Sequence, residues 1–266
     1  MGWIALAAAV AALLVTGFSG YGGRGESGPS TVIPAPVHVS AAQLAKLPLA
    51  TTFTNIPAAP ADPAPFTVTD GLVMHPQTSQ VVYAAPGKQP VAVLPATQLS
   101  APTWVPVVQS SPGWDNVLLP NRPNRTTGWI YTDGTASSQL EIRHSAYLIR
   151  IEVGARKLSV DNNGTSLGTW TVAVGAPATP TPTGRTFLLA LIAPPQPTYS
   201  PLILPLGAHS NAFSSFGGGP GTVGVHGWPD PSVFGQAVSN GCVRVPATTL
   251  HLLSTIPLGT LVLITA

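Results

Sequence analysis

The 266 residues contain one cysteine, Cys242, within the stretch VHGWPDPSVFGQAVSNGCVRVP at residues 225–246. His226 stands sixteen positions before it, Arg244 two after it, and Ser239, Asn240 and Gly241 lead directly into it. A thiol becomes a useful nucleophile once an imidazole takes its proton, and the two need only meet in the fold. GTVGVHGW reads as a strand ending at His226, and SNGCVRV as a loop running into another strand. Two neighbouring strand ends would set sulfur and imidazole side by side. Acyl transfer also needs donors for a developing oxyanion, and the backbone N–H groups of Gly241 and Cys242 are candidates. Arg244 shares a strand face with Cys242. It could grip a substrate carboxylate with its fork, or serve as a surface ion pair or a loop anchor. On spacing alone, an inert buried thiol near an unrelated imidazole is the competing reading.

The composition narrows the setting. Charged residues are only 8% of the chain, with a net charge of +2, while Pro (30) and Gly (27) are abundant. So weak and scattered a charge argues against a groove that tracks phosphates, and nucleic acid is not an expected partner. One cysteine and scattered histidines offer no metal-ligand spacing, and no metal is expected. Residues 1–23 open with an uncharged apolar run, about right for an export signal or a single membrane anchor. In an exported protein a lone cysteine is either inert or a working thiol kept free of disulfide partners.

The elements that must position these groups are mainly strands. Residues 24–66 are rich in Pro and Ala without sustained periodicity, and read as an extended linker with at most one short helix near residues 41–47. Residues 67–140 carry short apolar runs separated by Pro86-Gly87, Ser-Ser-Pro-Gly and Asp133-Gly134, the pattern of a small β-barrel. Their W-V-P-V, G-W-D-N-V and G-W-I-Y succession at Trp104, Trp114 and Trp129 resembles bacterial SH3-like domains. Those aromatics could line a groove for glycan or peptide, or simply fill the barrel. Residues 144–266 are again strand-rich. Residues 147–153 alternate sides, Asn163-Gly164 suits a tight hairpin, and Pro246 introduces one modest helix. His75, His144 and His251 read as structural.

HG followed by S-N-G-C-V-R resembles the signature of L,D-transpeptidases, the YkuD-type catalytic domain. Thr181, Pro182, Gly184 and Phe187 resemble that family's Thr-Pro turn, VAVG at residues 172–175 its preceding strand, and Gly259, Thr260, Val262 and Ile264 its closing strand. The resemblance spans residues 147–266 and implies a β-sandwich-like catalytic domain with one short helix, following the small SH3-like barrel. It further implies that Cys242 attacks a peptidoglycan tetrapeptide stem to form a thioester, which an amine of a second stem resolves into a 3→3 cross-link. His226 would be the base, oriented by the carbonyl of Gly227. Gly241 would help the oxyanion, and Ser239, Asn240, Arg244 and His209 would touch substrate. No cofactor is implied, carbapenem β-lactams are expected covalent inhibitors, and the cell envelope is the expected location.

One position departs from the family pattern: the residue two before Cys242 is usually histidine there, and here it is Asn240. His226 nonetheless stands in the place of the base, and asparagine still donates and accepts hydrogen bonds. Water in place of the acceptor amine would give an L,D-carboxypeptidase instead. A degenerate catalytic domain would leave a non-catalytic cell-wall-binding protein. His209, in a loop region before the HG motif, either lines the cleft or faces solvent.

Overall fold

The computed structural model describes residues 33–196, 198–215 and 219–266. The amino-terminal run expected to be an export signal or anchor lies outside the described residues. Residues 33–266 form one compact unit, and it is mainly β.

The first part of the unit contributes β1 (Leu72–Pro76), β2 (Gln80–Tyr83), β3 (Pro90–Leu94), β4 (Thr97–Gln98), β5 (Ala101–Pro102), β6 (Val105–Ser111), β7 (Trp114–Leu118), β8 (Thr127–Tyr131) and β9 (Leu140–His144). Seven of these make one sheet in the order β3-β2-β8-β7-β6-β1-β9, while β4 and β5 form a separate small hairpin. Trp114 is fully buried, and its indole N–H donates to the carbonyl of Pro34 at 2.8 Å. The hydroxyl of Tyr83 reaches the carbonyl of Val37 at 3.2 Å. Residues of the chain's own amino-terminal segment therefore lie across this aromatic cluster.

The described part of that segment, residues 33–66, is packed rather than free, which corrects the expectation of an extended linker there. A single helical turn, α1 (Ala41–Leu44), is capped by the Ser40 side chain. Beyond it, Ala50, Thr52, Ile56 and Asp62 are all buried. The Asp62 carboxylate takes a two-pronged ion pair from Arg185, at 2.6 and 2.7 Å, with both side chains buried. Composition hid this, because Pro and Ala bury extended backbone without leaving a periodic pattern.

The second part contributes β10 (Tyr147–Glu152), β11 (Lys157–Asn162), β12 (Thr165–Thr171), β13 (Val174–Gly175), β14 (Gly184–Phe187), β15 (Ile203–His209), β16 (Thr222–Gly227), β17 (Ala237–Ser239), β18 (Val243–Val245) and β19 (Leu261–Thr265), with α2 (Ala247–Ser254) before the last strand. A five-stranded sheet, β12-β11-β10-β19-β14, faces a three-stranded one, β15-β16-β18, and β13 pairs with β17. Ile149, Ile151, Leu158 and Val160 from the first sheet share a core with Leu204, Val223, Val225, Val243 and Val245 from the second, closed by Leu250 and Leu253 of α2. The β11–β12 hairpin turns through Asn163 (φ +48) and Gly164 (φ +76), two successive left-handed residues that asparagine and glycine tolerate best. A second core joins the two parts: Val82, Leu94 and Val117 of the first sheet pack with Ile56 of the amino-terminal segment and with Phe187, Leu189 and Leu261.

Candidate active site

Sheet register brings the chemical groups together. β16 runs between β15, antiparallel, and β18, parallel, with Val225 opposite Val243 and His226 opposite Arg244. Side chains alternate along a strand, so Val223, Val225, Val243 and Val245 point into the core. Cys242, Arg244 and His226 therefore share the other face. Cys242 and His226 line the same cleft, of about 200 Å³. Cys242 is a free thiol and only half-buried.

His226 is 6% exposed, and its Nδ1 stands 2.7 Å from the carbonyl oxygen of Gly227. A carbonyl only accepts, so Nδ1 carries the proton and Nε2 keeps its lone pair. That is the tautomer a base for the thiol requires, and the Gly227 carbonyl fixes it. The Gly227 N–H is in turn held by Ser200 Oγ at 2.8 Å, whose hydroxyl donates to the carbonyl of Leu202 at 2.6 Å. The edge of Tyr199 packs on the imidazole, with ring centroids 4.9 Å apart.

The turn ahead of Cys242 is fastened from within. Gly241 adopts φ +116, a conformation side chains resist. The Ser239 hydroxyl donates to the carbonyl of Cys242 at 2.5 Å and accepts the Gly241 N–H at 3.1 Å. Thr181 lies beneath: its hydroxyl donates to the carbonyl of Gly241 and accepts the N–H of Gly175, each at 2.9 Å. The Thr-Pro turn thus anchors the nucleophile loop from sixty residues away in sequence. Two expectations change. Ser239 is 2% exposed and its hydroxyl is spent on the loop's own backbone, where a substrate contact was expected. The Gly241 N–H is committed to Ser239, which leaves the Cys242 N–H as the member of the expected oxyanion pair without a bond among the described residues.

Arg244 lies with its guanidinium carbon 3.5 Å from the centroid of the Trp228 ring, and its buried Nε has no hydrogen-bond partner. Stacking holds the fork in place while its nitrogens stay available. Asn240 is exposed at the turn. His209 is not part of the site. It is 0% exposed on β15, with Nε2 at 2.7 Å from the carbonyl of Thr52 and 3.0 Å from its hydroxyl. The strand around it reads as a loop in the sequence, so its burial was not visible there.

The electrostatics favour an uncharged resting pair. Burial pushes the Cys242 thiol up, against a backbone hydrogen bond from Gly224 and the charge of Arg244, which pull it down. Burial lowers His226, the Gly227 carbonyl opposes this, and Arg244 lowers it further. A neutral thiol and a neutral imidazole lining one cleft fit these shifts.

Sequence reasoning missed Trp228, Tyr199 and Ser200. The HGW triplet held a hint of the first, since a residue two beyond His226 on an extended chain returns to its face. Nothing local marked the other two. It also missed Thr52, Phe53 and Leu99, which line the cleft from outside residues 144–266.

Residues 146–264 match the family model of the L,D-transpeptidase catalytic domain, YkuD. The YkuD protein of Bacillus subtilis (strain 168) is 32% identical over 119 residues, which are 44% of this chain and 65% of that relative. This chain therefore spans just under two thirds of that relative's length. Among solved structures, an L,D-transpeptidase from Mycobacterium smegmatis aligns with 16% identity over 61% of this chain and 99% of its own, at a TM-score of 0.39. L,D-transpeptidase 3 from Mycobacterium tuberculosis, in complex with a faropenem-derived adduct, aligns with 15% identity over 54% of this chain and 74% of its own, at 0.37.

Proposed function

We propose that residues 146–264, which match the family model of the L,D-transpeptidase catalytic domain YkuD, make this protein a cysteine-dependent peptidoglycan L,D-transpeptidase of the cell envelope. One observation carries the proposal. Cys242 and His226 share a face across adjacent strands, and the imidazole spends its Nδ1 proton on Gly227, leaving Nε2 for the thiol.

His226 Nε2 takes the thiol proton as Cys242 sulfur bonds to the carbonyl carbon of the third residue of a tetrapeptide stem. The resulting oxyanion is met by the Cys242 N–H. Collapse breaks the carbon–nitrogen bond, and imidazolium returns its proton to the departing D-alanine amine. The thioester keeps the acyl group activated without any external energy source. An amine of a second stem then gives its proton to His226 and displaces sulfur, which regains a proton as the 3→3 link forms. Arg244, stacked on Trp228, is placed to meet a stem carboxylate. Carbapenems would enter the same chemistry by ring opening on sulfur.

Intact-protein mass after exposure to a carbapenem tests this. One covalent adduct is expected on the wild type and none on Cys242→Ala. A folded wild type of unchanged mass sinks the proposal. Incubation with a tetrapeptide stem then separates a dimeric product, expected here, from tripeptide alone, which would make the protein an L,D-carboxypeptidase.

A further inference from the structure

The cleft that holds Cys242 is not built by the catalytic domain alone. Part of its wall comes from Thr52 and Phe53 of the amino-terminal segment and from Leu99, at the tip of the β4–β5 hairpin. Thr52 is fixed to the catalytic sheets by His209 on β15 and by the hydroxyl of Thr222 on β16. Phe53, the next residue, is 64% exposed, so the core does not account for its ring.

Leu99 is placed at a conformational cost. It and Ser100 have φ of +51 and +59, a tight turn that favours Asn-Gly and resists a branched side chain. Strain of this kind marks places where the side chain matters to function. Across the same cleft stand Ile192 and Ile203, and none of the described lining residues is Asp, Glu, Lys or Arg.

We propose that Phe53 and Leu99 form an apolar subsite, supplied from outside the catalytic domain, that grips an uncharged hydrocarbon portion of the acyl donor while its carbonyl meets Cys242. The proposal rests on the function given above, since a donor whose carbonyl reaches sulfur must extend into this cleft. These two residues are determinants of donor affinity, and the segments before residue 144 become part of the substrate-recognition surface.

Two variants test it in the full chain. Leu99→Asn removes the hydrocarbon yet suits the left-handed backbone, so the hairpin keeps its shape. Phe53→Ser changes an exposed side chain. Acyl-enzyme formation with a tetrapeptide stem is followed by intact mass over a range of stem concentrations, and alkylation of Cys242 by iodoacetamide is followed in parallel. Each variant is expected to raise the half-saturating stem concentration about tenfold, with little change in the maximal acylation rate. Alkylation, which needs no subsite, should keep its rate. An unchanged stem dependence overturns the subsite, and so does an equal fall in acylation and alkylation, which would mark a merely structural role. A wild type that is alkylated but never acylated by stem overturns the proposed function, and the subsite with it.

Discussion

The guanidinium of Arg244 lies against the indole face of Trp228, 3.5 Å from its centroid, on the strand face that also carries Cys242. Arginine stacked this way loses little freedom when it binds an anion, because the ring has already fixed the fork. Trp228→Leu should therefore weaken stem binding several-fold, with a smaller effect on the maximal acylation rate. Steady-state or single-turnover kinetics against stem concentration measure the split. Equal losses in both parameters would argue that the indole acts on the reaction itself.

His226 is held below the ordinary imidazole pKa of about 6.5 by burial, and Arg244 adds to the effect. A base must be neutral to accept a proton, so acylation should stay level as pH falls through that ordinary value. It should fall only below the lowered pKa. A pH–rate profile of acylation checks the position of this acid limb. His226→Ala should slow acylation by roughly 10²–10⁴-fold.

Thr181 satisfies two buried backbone groups, the Gly241 carbonyl and the Gly175 N–H. Thr181→Val preserves shape and removes both bonds. A destabilisation of about 1–3 kcal/mol is expected for each group left unpaired, read by denaturant unfolding. Acylation should slow as well, because the turn that aims Cys242 loses its anchor.

His209 offers a pH test of stability. Burial lowers its pKa to about 4, helped by the charge of Arg122 and opposed by its bond to Thr52. Its Nδ1 is buried without a partner, so an added proton finds no acceptor. Above about pH 6.5 the ring is neutral in both folded and unfolded chains and contributes no pH dependence. As pH falls from there to about 4, the unfolded chain takes up a proton that the folded one refuses. Roughly 3 kcal/mol of stability should be lost across that window. His209→Gln keeps an N–H for Thr52 and cannot titrate, so its unfolding free energy should vary less over the same range.

Much of the candidate site was legible because its signals are local. Cys242, His226 and Arg244 fall in one short stretch, and two-residue alternation assigns Cys242 and Arg244 to one face before any partner strand is known. The Asn163-Gly164 turn was equally plain, since its residue types match the backbone angles they adopt. Ser239 was visible as a residue but not in its role. Only the folded turn shows its hydroxyl spent on the loop's own backbone.

By itself, the sequence determined the chemistry at hand: a lone thiol, a histidine at a strand end, an arginine on the thiol's face, and a mainly β chain to carry them. Residue type and near-neighbour spacing suffice for such statements, because strand periodicity and turn geometry act over a few residues. The tertiary structure alone decided that His209 is an internal strut, that Asp62 meets Arg185, and that Thr52, Phe53 and Leu99 help to wall the cleft. These contacts join residues more than a hundred positions apart, a separation that no local pattern records. They come from extended, proline-rich backbone packing onto distant strands, and such packing leaves no period in the sequence to read.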